Sequence, residues 1–266
     1  MGDTLPGDGH GSGRLEVPEL EALGLDGLGA GIRPPRTAEL DVVRAALHAP
    51  ELTPAHERAL SALEFAGFLG ALAELVPEAS QRLVVLGVPD RVRADFWADV
   101  GRKVRAYGDN GIREWLVTLL RGDVLQLGRL QFERAVGPQG RAVHIPELGP
   151  LTPELVDDSL EQARRFFADR AGFACTSWLL DPRLVALGGD SNIVRFQRRF
   201  ELVAGVDSEG EDRDEGDADV AKFVFGVPLA QLDRRAVTPA TALQRVVAEV
   251  WRSGRRWFAP TGVLRP

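Results

Sequence analysis

The stretch GDVLQLGRLQFER, residues 122–134, is where the chain changes its period. Leu125 and Leu127 share one parity while Leu130 and Phe132 share the other, so a strand here reverses its buried face around Gly128-Arg129, as a β-bulge or glycine kink would. A short second strand, 142–145, is expected after the turn Gly137-Pro138-Gln139-Gly140.

Upstream the pattern is helical. Leu40, Val43 and Leu47 recur at three- and four-residue steps until Pro50 ends the run. Thr53-Pro54 is a cap followed by proline at the first helical position, opening a helix through Leu63 and Phe68 toward Val76. Two more helices are expected, one with Val92, Phe96, Val100 and Val104 at steps of four, the other over Ile112 to Leu120. Together they describe a small bundle. Residues 1–36, rich in Gly and Pro, read as a disordered or loosely docked lead-in.

Downstream, Thr152-Pro153-Glu154 opens an amphipathic helix carrying Val156, Leu160, Ala163 and Phe167, with acids in its first turn and arginines toward its end. A buried strand over Phe173 to Leu180 follows, then a break at Asp181-Pro182 and a capped helix from Ser191. Glu201 to Val206 and Val220 to Val227 read as two strands joined by the acidic tract 207–219, expected to be a mobile hairpin loop. A helix with Leu243, Val246, Val247 and Val250 and a strand near Trp257-Phe258 close the chain. The domains are thus 1–36, 37–121 and 122–266.

The net charge of −7 is concentrated in that tract, which holds eight acids against Arg213 alone; the remainder is balanced at 31 basic and 31 acidic residues. A balanced surface argues against a nucleic-acid partner, whose phosphates demand a basic face, and the cluster Arg195, Arg198 and Arg199 reads as a solvated helix end. No apolar run approaches the roughly 20 residues needed to cross a bilayer, so no membrane is expected as partner. The single cysteine, Cys175, fits a reducing compartment, and the N-terminus lacks the pattern of a signal peptide, so the expected location is the cytoplasm. Four scattered histidines and one cysteine offer no metal-ligand spacing, and no metal is expected.

No P-loop, dinucleotide fingerprint or nucleophile elbow is present, so candidate chemistry rests on smaller constellations. His144 ends a strand and Glu147 lies three residues on, a polar pair suited to proton transfer at the mouth of a sheet. Cys175 and Ser177 share one face of the strand from Phe173, and a covalent thiol mechanism would need His144 beside Cys175 as its base. The helix after Leu151 offers backbone N–H groups and a positive dipole end to a phosphate.

Taken in order, LGRLQFER, HIPELGPLTPELVDDSLEQARRFF, CTSWLLDPRL, SNIVRFQRRF, FVFG and TALQRVVAEVWRSGRRWFAPTGVL resemble the C-terminal domain of actinobacterial acyltransferase-domain proteins with a GNAT-like fold, over residues 122–264. VPDRVRADFWADVGRKVRAYG is similar to that family's helical N-terminal domain. The resemblance implies an α+β architecture in which a helical N-terminal bundle precedes a GNAT-like mixed sheet with flanking helices. It implies acyl-coenzyme A as co-substrate and direct transfer of the acyl group to a small-molecule or peptide amine acceptor. Gly149, Leu151 and Thr152 would then lie near the phosphates and Asn192 along the pantetheine arm, with proton transfer by His144 or Glu147 and a proton for the departing thiolate from Cys175, Ser177 or water.

Two features oppose this reading. Glu154, Asp157 and Asp158 occupy the first turn of the helix, and Pro150 removes one donor from the loop before it. The only tyrosine, Tyr107, lies outside the α/β half. They favour the alternative, a non-catalytic ligand-sensing or protein-interaction module on the same fold. The oligomeric state is left open by the sequence.

Overall fold

Proline, glycine and polar caps cut the helical half into short rods. The computed structural model describes residues 17–203 and 215–265, and its first seven helices are α1 (Val17–Ala22), α2 (Thr37–His48), α3 (Pro54–Ser61), α4 (Phe65–Glu74), α5 (Val76–Val85), α6 (Asp90–Tyr107) and α7 (Arg113–Arg121). The helix expected from Pro54 to Val76 is two helices, because Glu64 caps a new one by accepting from the amide of Ala66. Helix α7 packs on α2, α5 and α6. Its buried Leu116, Leu119 and Leu120 each contribute roughly 1.5–3 kcal/mol of transfer free energy.

The lead-in differs from expectation over residues 17–31, which form α1 and a 3-10 turn with Leu23 and Leu25 wholly buried. The amide of Gly101 on α6 donates to the carbonyl of Leu23 at 2.8 Å. A Cβ at residue 101 would lie 2.1 Å from the carbonyl oxygen of Gly24, so only glycine permits this approach. Residues 1–16 of that expectation lie outside the described residues.

Contacts divide the chain between Leu125 and Gln126, inside the first strand. The second unit opens with the last two residues of β1 (Val124–Leu127) and holds β2 (Leu130–Gly137), β3 (Gly140–His144), α8 (Pro153–Phe167), β4 (Phe173–Thr176), α9 (Asn192–Gln197), β5 (Phe200–Leu202), α10 (Glu215–Phe225), α11 (Ala242–Arg252) and β6 (Thr261–Leu264). The sheet runs β1-β2-β3-β4-β6-β5, with β3 and β4 parallel and the pairs β2–β3, β4–β6 and β5–β6 antiparallel. The architecture is therefore α+β, a helical region followed by a mixed sheet with flanking helices, as expected.

Four local expectations are corrected. The face reversal at Gly128-Arg129 is a two-residue turn between β1 and β2, with Gly128 at φ +68°; a true irregularity lies further on, between Phe132 and Val136 of β2. The strand expected over Phe173 to Leu180 stops at Thr176, because Ser177 Oγ accepts from the amide of Leu179 and caps a 3-10 turn. Val220 to Val227 is not a strand: Val220 to Phe225 is the second half of α10, whose buried Asp217, Val220 and Ala221 recur at helical steps; a short apolar run carries no period strong enough to separate the two. Asp217 belongs to the acidic tract, yet it is fully buried and accepts from Trp251 Nε1 at 2.6 Å and the Trp257 amide at 2.9 Å; residues 207–214 of the expected loop lie outside the described residues.

Those bonds also explain why Trp257-Phe258 forms no strand. The Trp257 amide serves Asp217 and the Phe258 amide serves Asp181 at 3.3 Å, so neither joins a ladder, and the final strand begins at Thr261. Around them Trp178, Leu184, Val220, Val247, Trp251 and Trp257 form an apolar core under α10 and α11.

Candidate active site

The crossover from β3 through α8 to β4 positions the site. Val156, Ser159, Leu160 and Ala163 bury one stripe of α8, which packs on β2, and the ring of Phe132 meets that of Phe173 edge-on at 5.3 Å. The pairing of β3 with β4 is Arg141 with Phe173 and Ala142 with Ala174, and it goes no further. Val143-His144 and Cys175-Thr176 therefore continue beyond the last paired residues, while β4 stays paired with β6 through Thr176 with Thr261. The two parallel strands part where the loop leading to α8 begins.

That loop, 145–152, ends in a cap: Thr152 Oγ1 accepts from the amide of Leu155 at 3.4 Å. Among the described residues no hydrogen bond engages the amides of Gly149, Leu151 or Thr152. Gly149 adopts φ +72° with open space where a Cβ would stand. The loop's carbonyls, in contrast, are occupied. Arg129, in the turn between β1 and β2, donates through Nη1 to Pro146 at 2.7 Å, through Nη2 to Gly149 at 3.0 Å and through Nε to Pro150 at 3.2 Å.

The acids in the first two turns of α8, Glu154 in the first and Asp157 and Asp158 in the second, are partly offset. Arg199 holds Asp157 at 2.6 and 3.1 Å and also donates to the carbonyl of Pro153. Asp158 accepts from Gln162 at 2.7 Å. The carboxyl of Glu154 is held below the usual range first by its own amide and the Thr152 hydroxyl, then by the field of Arg195 and Arg199. The arginine cluster read as a solvated helix end thus includes one member, Arg199, tied to the start of α8.

His144 is half-buried, and its Nε2 lies 2.9 Å from Oε1 of Glu133, within the irregular part of β2. This hydrogen bond holds the Glu133 carboxyl below the usual carboxylate range, ahead of the opposing effect of burial. Sequence spacing offered Glu147 beside His144; register adds Glu133, and Glu147 stands in the loop.

Cys175 does not adjoin that pair. The parallel register puts Ala142 and Ala174 on a common face, so alternation turns His144 to that face and Cys175 to the other. The thiol is buried and burial pushes it up to about 12, which leaves it protonated at neutral pH, and a covalent thiol mechanism with His144 as its base finds no geometry here. Ser177 spends its hydroxyl on the cap at Leu179 and its amide on the carbonyl of Pro260. Asn192 opens α9, which packs on α8. On the face shared with His144, the hydroxyls of Thr176 and Thr261 bond at 2.7 Å across β4 and β6.

A cleft of about 410 Å³ lies at the other end of α8, lined among others by Arg141, Arg164, Phe167 and Asp169, and no candidate residue reaches it. Among the described residues no group of three His, Cys, Asp or Glu side chains gathers as for a metal ion, and no helix is long and apolar enough to cross a membrane.

Two solved structures resemble the chain over 93% of its length and 98% of theirs, at 26% identity. One is an acyltransferase in complex with decanoyl-CoA and teicoplanin, at TM-score 0.65; the other an acyltransferase with CoA and 10C-teicoplanin, at 0.62. A third, an acyltransferase with decanoyl-CoA, is 24% identical at TM-score 0.64 and shares the fold. No curated protein matches the chain. A family model described as the GNAT-like C-terminal domain matches residues 124–264, more than half of the sequence, and the chain belongs to that family.

Proposed function

We propose that this protein transfers an acyl group from acyl-coenzyme A to the amine of a small acceptor. The observation that carries the reading is the loop 145–152: uncommitted amides at Gly149, Leu151 and Thr152 before a helix of 15 residues, beside two parallel strands that have parted. The acyl-CoA and teicoplanin complexes of the similar acyltransferases support both the donor and a small-molecule acceptor.

In this mechanism the carrier's pyrophosphate lies at those amides, and its thioester enters the gap between β3 and β4, with Asn192 along the pantetheine arm. The acceptor amine attacks the thioester carbonyl, a C–N bond forms, and the C–S bond breaks as the carrier leaves as a thiolate. His144 takes the proton lost by nitrogen, and Glu133 keeps the imidazole oriented through the Nε2 contact. Water protonates the thiolate, since Cys175 lies on the face of β4 opposite His144.

The test is a calorimetric titration with CoA and decanoyl-CoA, followed by acyl transfer to a panel of amines. Saturable binding is expected, together with turnover that falls by about 10²- to 10⁴-fold in His144→Ala, the usual range for a lost general base. Absence of binding across the series sinks the donor assignment. Binding with undiminished turnover in the variant removes His144 from the mechanism.

A further inference from the structure

The motif LGRLQFER lends Glu133 to the mechanism above but not Arg129, although that side chain donates to three carbonyls of the loop. The residue is more than nine-tenths buried, and its three side-chain nitrogens each donate to a carbonyl of the loop, those of Pro146, Gly149 and Pro150. Among the described residues no carboxylate pairs with it. Burial lowers its pKa, and the positive charge beneath the loop is held by carbonyl dipoles.

The turn that carries it is fixed. The amide of Arg129 donates to Ser159 Oγ at 2.6 Å, and that hydroxyl donates to the carbonyl of Leu155 at 2.7 Å, so the turn is seated on α8 itself. A side chain at Gly128 would place its Cβ 2.7 Å from Ser159 Oγ, and φ +68° requires glycine there as well. Arg129 and the first two turns of α8 therefore form one body.

A trans peptide unit points its C=O and the following N–H in opposite directions. With the carbonyl of Pro150 drawn to Arg129, the amide of Leu151 faces away from the guanidinium. Resting on the acyl-coenzyme A reading, we infer that Arg129 is a positioning residue for the phosphates of the carrier. It holds the carbonyls of Pro146, Gly149 and Pro150 inward, turns the amide of Leu151 outward beside the open amides of Gly149 and Thr152, and adds a positive charge below them. It needs no direct contact with the phosphates. Pro150 fits this arrangement, since only its carbonyl is used.

The test separates this role from simple stability. Calorimetry on the full chain compares decanoyl-CoA with decanoyl-pantetheine, which keeps the thioester but lacks the pyrophosphate and ribose phosphate. Arg129→Lys keeps the charge and loses the fork, and is expected to weaken decanoyl-CoA about 20-fold while decanoyl-pantetheine changes less than about twofold. Unchanged decanoyl-CoA affinity, or equal weakening of both donors, overturns the proposal. Failure of the wild type to bind CoA or decanoyl-CoA overturns the donor reading, and this inference with it. Where the variant loses its folded far-ultraviolet signal, hydrogen exchange on the wild type decides. CoA is expected to protect the amides of Gly149, Leu151 and Thr152, and unchanged exchange at all three overturns the role.

Discussion

Two buried arginines hold main-chain carbonyls of the same sheet unit, and they do so under opposite electrostatic terms. Arg141, on β3, donates to the carbonyls of Glu133 and Arg134 where β2 is irregular, pairs with Asp169 and lies 3.6 Å from the ring centroid of Phe167. Its charge, both its Nη groups and its planar face find protein partners, while its Nε is buried without one among the described residues. Among the described residues Arg129 donates to carbonyls and pairs with no carboxylate. A buried charge that is paired internally braces a fold; one that is bound only to dipoles still gains from an anion brought nearby. The first describes the β2 irregularity, and the second describes the loop before α8.

The largest effect should come from breaking the arginine that has a carboxylate partner. Arg141→Met removes the donors of two carbonyls and the partner of Asp169, and should destabilise the chain by about 3 kcal/mol, the order observed when a buried ion pair loses one member. Urea denaturation with an unchanged slope checks it, and decanoyl-CoA affinity should stay within about twofold of the wild type. A fall in that affinity comparable to Arg129→Lys would erase the contrast between the two arginines.

Glu133 sharpens the comparison, because Arg141 holds its carbonyl while His144 meets its carboxylate. Glu133→Gln should lower kcat about 10- to 100-fold, less than loss of His144, since it removes orientation and keeps the base. The same bond makes a pH prediction with a definite sign. The folded carboxyl lies below its unfolded value of about 4.3, so its stabilising contribution is complete above that value and vanishes as pH falls through the folded one. Glu133→Gln should remove this part of the acid sensitivity, read as a flatter profile of melting temperature below about pH 5. An unaltered profile would show that the His144 contact carries no net free energy.

The smallest effect is expected at Cys175, on the side of β4 away from His144. Cys175→Ala should leave kcat unchanged and cost on the order of 1 kcal/mol of stability for a small buried group, and the native thiol should resist iodoacetamide up to about pH 9, since burial holds it at about 12. Rapid alkylation with loss of turnover would return the thiol to the mechanism.

Legibility in the sequence followed the range of the interaction. Thr152-Pro153 announced α8 because a cap and a proline act within one helical turn, and the structure has Thr152 Oγ1 on the amide of Leu155. The apolar steps of α2 and α7 were legible for the same reason. The segment 220–227 was misread because Val and Phe satisfy either period, and what decided between them is Asp217, buried against Trp251 and Trp257 from 34 and 40 residues away. Glu133 was missed because it lies 11 residues before His144 and only the β2–β3 register brings them together.

By itself the sequence determined the change of period at Gly122, the order of helical and sheet regions, and a capped helix with a loop before it, since each depends on neighbours a few residues apart. Tertiary structure alone decided that Arg129 reaches that loop across 17 to 21 residues, that Arg199 reaches Asp157 across 42, and that Cys175 turns away from His144. Such contacts are set by strand register and by how a helix lies on its sheet, and neither leaves a signal in local spacing.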